Sequence, residues 1–254
     1  MIPIDRLQSY LRESARQRYE AAAVPPFTLF FHPTDPFPYF NYAIPDEPVG
    51  GDLGTPLAAL RAVFTGRGRQ PRFEFIADFA PRLAPALQAA GFIEESAAIL
   101  MTCTPETYRP APESPGLTVT VLDATASLAD VQATMAVQHE GFSLTPREAV
   151  GEAEAAEFLR GLAGATFFLA RLEGEPVSAG SLIAPLDGLA EVAGIATRPA
   201  FRRRGIAAVI TDYALRTAFA CGVEVALLTA GDAQAGRVYE RVGFRAVGMA
   251  LAYG

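Results

Sequence analysis

The sequence predicts an α/β fold built from two related halves. Three observations carry this reading. Strand-like and helix-like segments alternate along the chain, a proline-rich break lies near its middle, and a strand–helix–Gly-Phe–strand pattern recurs at an offset of 152 residues, Gly91-Phe92 falling on Gly243-Phe244.

Asp5 to Tyr19 is predicted helical, with Ile4, Leu7, Leu11 and Ala15 at helical spacing and Asp5 and Gln8 placed as a capping-box pair. Phe27–Phe31 and Tyr39–Ile44 read as strands, Pro56–Phe64 as a helix, Phe73–Ile76 as a strand, Pro81–Ala90 as a helix and Phe92–Met101 as a strand. From Thr104 to Gly116 four prolines exclude a helix and suggest an extended linker. This divides the chain into an N-terminal domain (1–104), a linker (105–116) and a C-terminal domain (117–254). In the last, Leu117–Leu122 reads as a strand, Ser127–Gly141 as a helix capped by Ser127, and Pro146–Leu162 as a second helix. Strands at Thr166–Leu172 and Pro176–Ile183 flank the turn Glu173-Gly174-Glu175, and Ala190–Ala196 follows. A helix from Gly205 to Ala220, a strand Glu224–Thr229, a helix Ala233–Arg241 and a strand from Phe244 complete the order. Sliding the chain by 152 residues superposes Phe73–Ile76 on Val225–Leu228 and Pro81–Ala90 on Ala233–Val242.

The 254 residues are half hydrophobic with mean hydropathy +0.20, enough to bury a large core and exclude general disorder. All 21 basic residues are arginine, against 28 Asp and Glu, for a net charge of −7. That balance argues against nucleic acid as a partner. Two cysteines, an N-terminus unlike a signal peptide and no run of about 20 apolar residues point to a cytoplasmic protein without a membrane partner. No metal-ligand pattern occurs. The oligomeric state stays open, a homodimer being compatible.

The chemistry concentrates after the strand Glu191–Thr197. The run Arg202-Arg203-Arg204-Gly205-Ile206-Ala207 opens a helix with no Ser, Thr, Asp or Asn cap at 204 or 205, so its first N–H groups lack an internal acceptor. Free N–H groups, the helix dipole and neighbouring arginines suit a phosphate-type anion. Gly205 removes the side chain that would block close approach. Further on, Asp232 and Tyr239 share a helical face with the small residues Ala235 and Gly236 between them, leaving a narrow groove that ends at the Tyr239 hydroxyl.

Together, R-R-R-G-I-A and A-G-R-V-Y-E-R-V-G-F at this separation closely resemble the GCN5-related N-acetyltransferase (GNAT) superfamily, over about residues 117–254. The resemblance implies a GNAT fold, a mixed and mostly antiparallel sheet flanked by helices, with acetyl-CoA as co-substrate and a tandem of two GNAT-like halves. It assigns the pyrophosphate to the amides of Arg203, Arg204, Gly205, Ile206, Ala207 and Ala208, beside Arg202. It assigns the pantetheine arm to Ile195, Ala196 and Thr197, where two central strands splay; Asp232 and Gly236, at the groove, are expected to be cofactor-binding as well. Tyr239 matches the tyrosine that protonates the departing thiolate. Asp232 stands where asparagine is usual; an ionised aspartate accepts but does not donate, so one cofactor contact is altered. Glu191, at the start of the strand, is the candidate base, with His139 and Glu140 of His139-Glu140-Gly141-Phe142-Ser143 as further candidates near the acceptor pocket.

In the N-terminal half Leu87 replaces Tyr239, Ala80 replaces Asp232, and Val49–Gly54 offers an acid and no arginine. That half reads as degenerate and without its own cofactor. Its aromatic runs, Phe27–Phe31 and Phe37–Tyr42, are expected in core packing. The short C-terminus leaves little room for a final hairpin, so a strand from the N-terminal half is expected to complete the sheet. The function expected is acetyl transfer to an amine, of a small cationic molecule given the acidic charge. Two alternatives are an acyl-CoA-binding sensor without turnover and an aminoacyl-tRNA-dependent transferase, the latter opposed by the charge.

Overall fold

The apolar stripe of the first segment folds as α1 (Ile4–Arg18), which buries Leu7 and Ala15, the latter in a core with Phe30, Tyr42 and Ile44. The capping-box pair does not form. The helix starts at Ile4, which puts Asp5 inside its first turn, and Gln8 is fully buried with Oε1 accepting the Ile76 N–H at 2.9 Å. The structure, a computed structural model, describes residues 2–49, 51–123, 125–142, 149–160 and 165–254.

Next come β1 (Glu20–Val24), β2 (Phe27–Phe31), β3 (Asn41–Pro45), α2 (Gly54–Gly66), β4 (Phe73–Ile76), α3 (Leu83–Ala89) and β5 (Glu94–Cys103). Then follow β6 (Leu117–Leu122), α4 (Leu128–Gly141), α5 (Glu152–Arg160), β7 (Ala165–Leu172), β8 (Glu175–Ile183) and β9 (Leu189–Thr197). The chain closes with α6 (Ile206–Ala220), β10 (Val225–Ala230), α7 (Ala233–Arg241) and β11 (Arg245–Tyr253). Strand β1 is not foreseen from sequence, because three alanines favour helix; its pairing with β2, Ala22 opposite Leu29, overrides that preference. The strand expected from Tyr39 begins at Asn41, preceded by a 3-10 turn at Pro38–Phe40. Ser127 caps α4 as expected, accepting the Asp130 N–H at 3.1 Å. Of the helix expected over 146–162, residues 152–160 are helical, while 146–148 and 161–162 lie outside the described residues, as does Ser143.

Two compact units result. The first comprises Met1–Leu100, Thr229–Asp232 and Ala246–Gly254, and the second Met101–Leu228 and Ala233–Arg245. Residues 246–254 therefore depart from the expected division. β11 pairs antiparallel with β4, Ala250 opposite Ile76 and Tyr253 opposite Phe73, so the C-terminal strand completes the first unit's sheet in the order β1-β2-β3-β4-β11-β5. Conversely, the end of β5, Met101–Cys103, groups with the second unit. The second unit's sheet runs β10-β9-β8-β7-β6.

The linker expected at 105–116 is docked at its start. Tyr108 Oη donates to Asp212 Oδ1 at 2.5 Å, and the Arg109 N–H donates to the Val242 carbonyl at 3.1 Å. Prolines prescribe an extended path but not what that path lies against.

The sequence repeat has a structural counterpart. In each half an antiparallel three-strand meander (β1–β3, β7–β9) leads through a helix (α2, α6) to a strand parallel to the third (β4, β10). The helix that follows ends in the same bonds at the 152-residue offset. Ala90 N–H to Leu87 O (3.1 Å), Gly91 to Gln88 (3.0 Å) and Phe92 to Leu87 (3.0 Å) match Val242 to Tyr239 (3.1 Å), Gly243 to Glu240 (3.2 Å) and Phe244 to Tyr239 (3.1 Å).

Both repeat glycines sit in the left-handed region, Gly91 at φ +85° and Gly243 at φ +107°. Their surroundings differ. A Cβ at Gly91 meets nothing within 4 Å, whereas one at Gly243 would lie 2.2 Å from the Thr107 carbonyl oxygen. Gly91→Ala is therefore expected to cost about 1 kcal/mol, the price of left-handed backbone alone. Gly243→Ala should cost about 3 kcal/mol, because backbone must also move. Urea midpoints of the two variants check this, and equal losses would contradict it.

The first unit's core is aromatic. Phe27 and Phe92 each meet Phe73 edge to face, at 5.3 and 5.1 Å. Of the two aromatic runs, Phe27, Phe30 and Phe31 are buried, while Phe37, Tyr39 and Phe40 form an exposed cluster.

Candidate active site

Strand β9 is bent by a bulge. Ala179 faces Ala196 and Ser181 faces Ala193, so Gly180 alone faces Gly194 and Ile195. Gly194 takes φ +62°, and a Cβ there would lie 2.6 Å from Gln138 Nε2. Side chains hold the carbonyls on both sides of the bend. Gln138 donates to Gly194 O (3.0 Å), Ser181 to Ala193 O (3.0 Å), Ser178 to Ala196 O (2.6 Å) and Arg202 Nε to Thr197 O (3.1 Å). On its other edge β9 pairs in parallel with β10 through three residues, Leu189, Ala190 and Glu191 with Val225, Ala226 and Leu227. It then runs on from Val192 to Thr197. Glu191 is half-buried at the last of these pairs, and Ile195, Ala196 and Thr197 lie beyond it.

After β9 the chain makes a 3-10 turn, Pro199–Phe201, and enters α6 through Arg203 at φ +64° and Gly205 at φ +80°. Gly205 is the helix cap and supplies no side chain. The Ala208 N–H donates to the Gly205 carbonyl at 3.0 Å, and Arg202 N–H to Pro199 O at 3.3 Å. The five amides between them, Arg203 to Ala207, have no acceptor among the described residues. Open space lies where a Gly205 Cβ would point. Five unpaired donors at a helix start are an arrangement that suits an anion.

The three arginines divide their tasks. Arg202 caps the C-terminus of α4 through the Gly141 carbonyl (2.5 Å) as well as holding Thr197 O. Arg204 lies over the Phe201 ring at 5.2 Å. Arg203 is exposed, with no side-chain partner among the described residues.

Tyr239 projects from α7, one turn after the buried Gly236. Its ring meets Phe244 at 6.1 Å and 66°. Burial pushes its pKa up to about 12. Desolvation disfavours the phenolate, so the neutral phenol stabilises the fold fully below pH 10, the ordinary value, and this contribution is lost as pH rises through about 12. Asp232 is exposed before α7 and groups with the first unit. His139 lies in the last turn of α4, and Glu140 Oε2 pairs with Arg198 Nε at 3.1 Å. The second unit thus carries Glu191, Ile195–Thr197, Arg202–Ala208, Gly236 and Tyr239. Gln138, Tyr108 and Asp212 were not singled out from sequence, where neither spacing nor motif marks them.

Among the described residues the first unit differs at the matching positions. Leu87 is fully buried, and Asp52 Oδ1 accepts the Gly54 N–H at 2.9 Å where α2 begins, so a carboxylate already sits at that helix end. Gln8 takes the Ile76 N–H of β4. Among the described residues no group of three His, Cys, Asp or Glu could hold a metal, and no helix is long and apolar enough to cross a membrane.

Residues 134–244 match the acetyltransferase (GNAT) family, a span holding every candidate site residue of the second unit. Across its full length the chain is similar to a GCN5-related N-acetyltransferase from Kribbella flavida, with 26% identity, TM-score 0.82 and 96% of that chain covered. It also shares its fold with a tandem GNAT protein from the clavulanic acid biosynthesis pathway (14% identity, TM-score 0.64, 89% and 77% of the two chains). A GCN5-related N-acetyltransferase from Sphaerobacter thermophilus is a third such neighbour (16% identity, TM-score 0.62, 90% and 76%). No curated protein sequence matches the chain. The protein carries a GNAT-family domain and a GNAT fold.

Proposed function

We propose that the second unit transfers the acetyl group of acetyl-CoA to an amine of a small molecule by direct attack in a ternary complex. The observation that carries this reading is the run of five unpaired amides at the arginine-bearing entry to α6, following a strand that outruns its partner. The family match over the same residues supports it. Arg203 to Ala207 would bind the pyrophosphate, and the bent stretch Ile195–Thr197 would align the pantetheine arm. The acceptor nitrogen attacks the thioester carbonyl, an N–C bond forms and the C–S bond breaks. Tyr239 gives its phenolic proton to the departing thiolate, for which a pKa near 12 keeps it protonated at neutral pH. Glu191 takes the proton released by the amine, directly or through water.

The first unit acts as a silent partner without a cofactor, the protein works in the cytoplasm, and the net charge of −7 favours a cationic acceptor. CoA thiol release from acetyl-CoA, measured across a panel of amines, tests the reading. Amine-dependent release is expected; tight acetyl-CoA binding with no release for any amine would favour a sensor instead.

A further inference from the structure

The stretch 103–109 grips both helices of the candidate site. We infer that Tyr108 is a positioning residue: through its hydroxyl on Asp212 and its backbone against Gly243, it sets how α7, and with it Tyr239, lies against α6. This rests on the acetyl-transfer reading and concerns the same site.

Asp212 is buried on α6 and receives the Tyr108 hydroxyl at 2.5 Å. The Tyr108 ring meets Phe219 of the same helix edge to face at 5.7 Å. Its backbone faces the other helix. The Thr107 carbonyl and Tyr108 Cα approach Gly243 too closely for any side chain there, and the Arg109 N–H holds the Val242 carbonyl at 3.1 Å. Cys103 Sγ lies 3.8 Å from that same carbonyl. One short extended segment therefore holds the C-terminal end of α7 with its backbone and the middle of α6 with a side chain. The two helices also pack directly on each other.

The chemical logic follows from this placement. A buried carboxylate without its donor is costly, so the Tyr108–Asp212 bond is firmly kept. Asp212 stands two turns inside α6, away from the amides of Arg203–Ala207, while the grip on Val242 and Gly243 starts three residues after Tyr239. Loss of the bond should leave the anion end intact and misplace the proton donor, where a shift of about 1 Å is enough to slow a reaction.

The test uses the full chain with acetyl-CoA and an amine that supports turnover. Tyr108→Phe is expected to lower kcat about tenfold while the calorimetric Kd for acetyl-CoA stays within twofold. Asp212→Asn keeps an oxygen acceptor for the hydroxyl and should retain at least a third of wild-type kcat, whereas Asp212→Ala should match Tyr108→Phe. In the Tyr239→Phe background, Tyr108→Phe should cause no further loss, since its effect passes through Tyr239. Wild-type kcat in Tyr108→Phe, an equal loss in both backgrounds, or a tenfold loss in Asp212→Asn would each overturn the role. Failure of the wild-type chain to bind or turn over acetyl-CoA would instead overturn the acetyl-transfer reading itself.

Discussion

Tyr239→Phe is expected to lower kcat for CoA release roughly 10²–10³-fold, within the range for loss of a placed general acid, and to leave acetyl-CoA affinity within twofold. The substitution deletes one hydroxyl and keeps the ring that packs on Phe244 at 6.1 Å, so the helix should stay in place. The pH dependence follows from the sign of the shift. Because burial raises the phenol to about 12, the proton donor is present throughout pH 6–10, and wild-type kcat should show no falling limb from Tyr239 in that window. Steady-state rates for both proteins between pH 6 and 10 check this. An unchanged kcat in the variant would remove Tyr239 from the role of acid.

Gly205→Asp should weaken acetyl-CoA binding at least about 100-fold, or roughly 2.7 kcal/mol. Gly205 has φ +80°, a conformation that Asp and Asn tolerate better than other residues, so folding should lose only about 1 kcal/mol. The larger effect is electrostatic. A carboxylate placed at the entry to α6 competes for the unpaired amides and repels a pyrophosphate. Gly205→Asn has the same shape without the charge and should lose about tenfold. Calorimetric titration of both variants separates the two causes; equal losses would assign the effect to shape.

Local signals made much of this legible in sequence. Alternating apolar patterns gave most elements within a few residues, and the Gly-Phe repeat marked two helices that end in identical bonds. The uncapped start of α6 could be read directly, since what matters there is the absence of a side chain at Gly205 and of a capping Ser, Thr, Asp or Asn at 204. What sequence hid depends on partners far along the chain. Nothing in Arg245–Tyr253 tells a strand that its mate is Phe73–Ile76 rather than a nearer one. The prolines after Thr104 announce an extended path but not that Tyr108 meets Asp212, 104 residues later. Three adjacent arginines look equivalent as letters. Arg202 differs because the exposed carbonyls of Gly141 and Thr197 come within its reach, which leaves Arg203 as the one without a side-chain partner among the described residues. Gln8, read as part of a helix cap, instead accepts the N–H of Ile76 in β4, a partner 68 residues along the chain that no local pattern announces.

The second unit alone is proposed to hold the acetyl-CoA cradle. Calorimetric titration of acetyl-CoA into the full chain tests it most directly. A stoichiometry of one per chain, abolished by Gly205→Asp, is the predicted result. No binding at saturating acetyl-CoA, or two sites per chain, would contradict it.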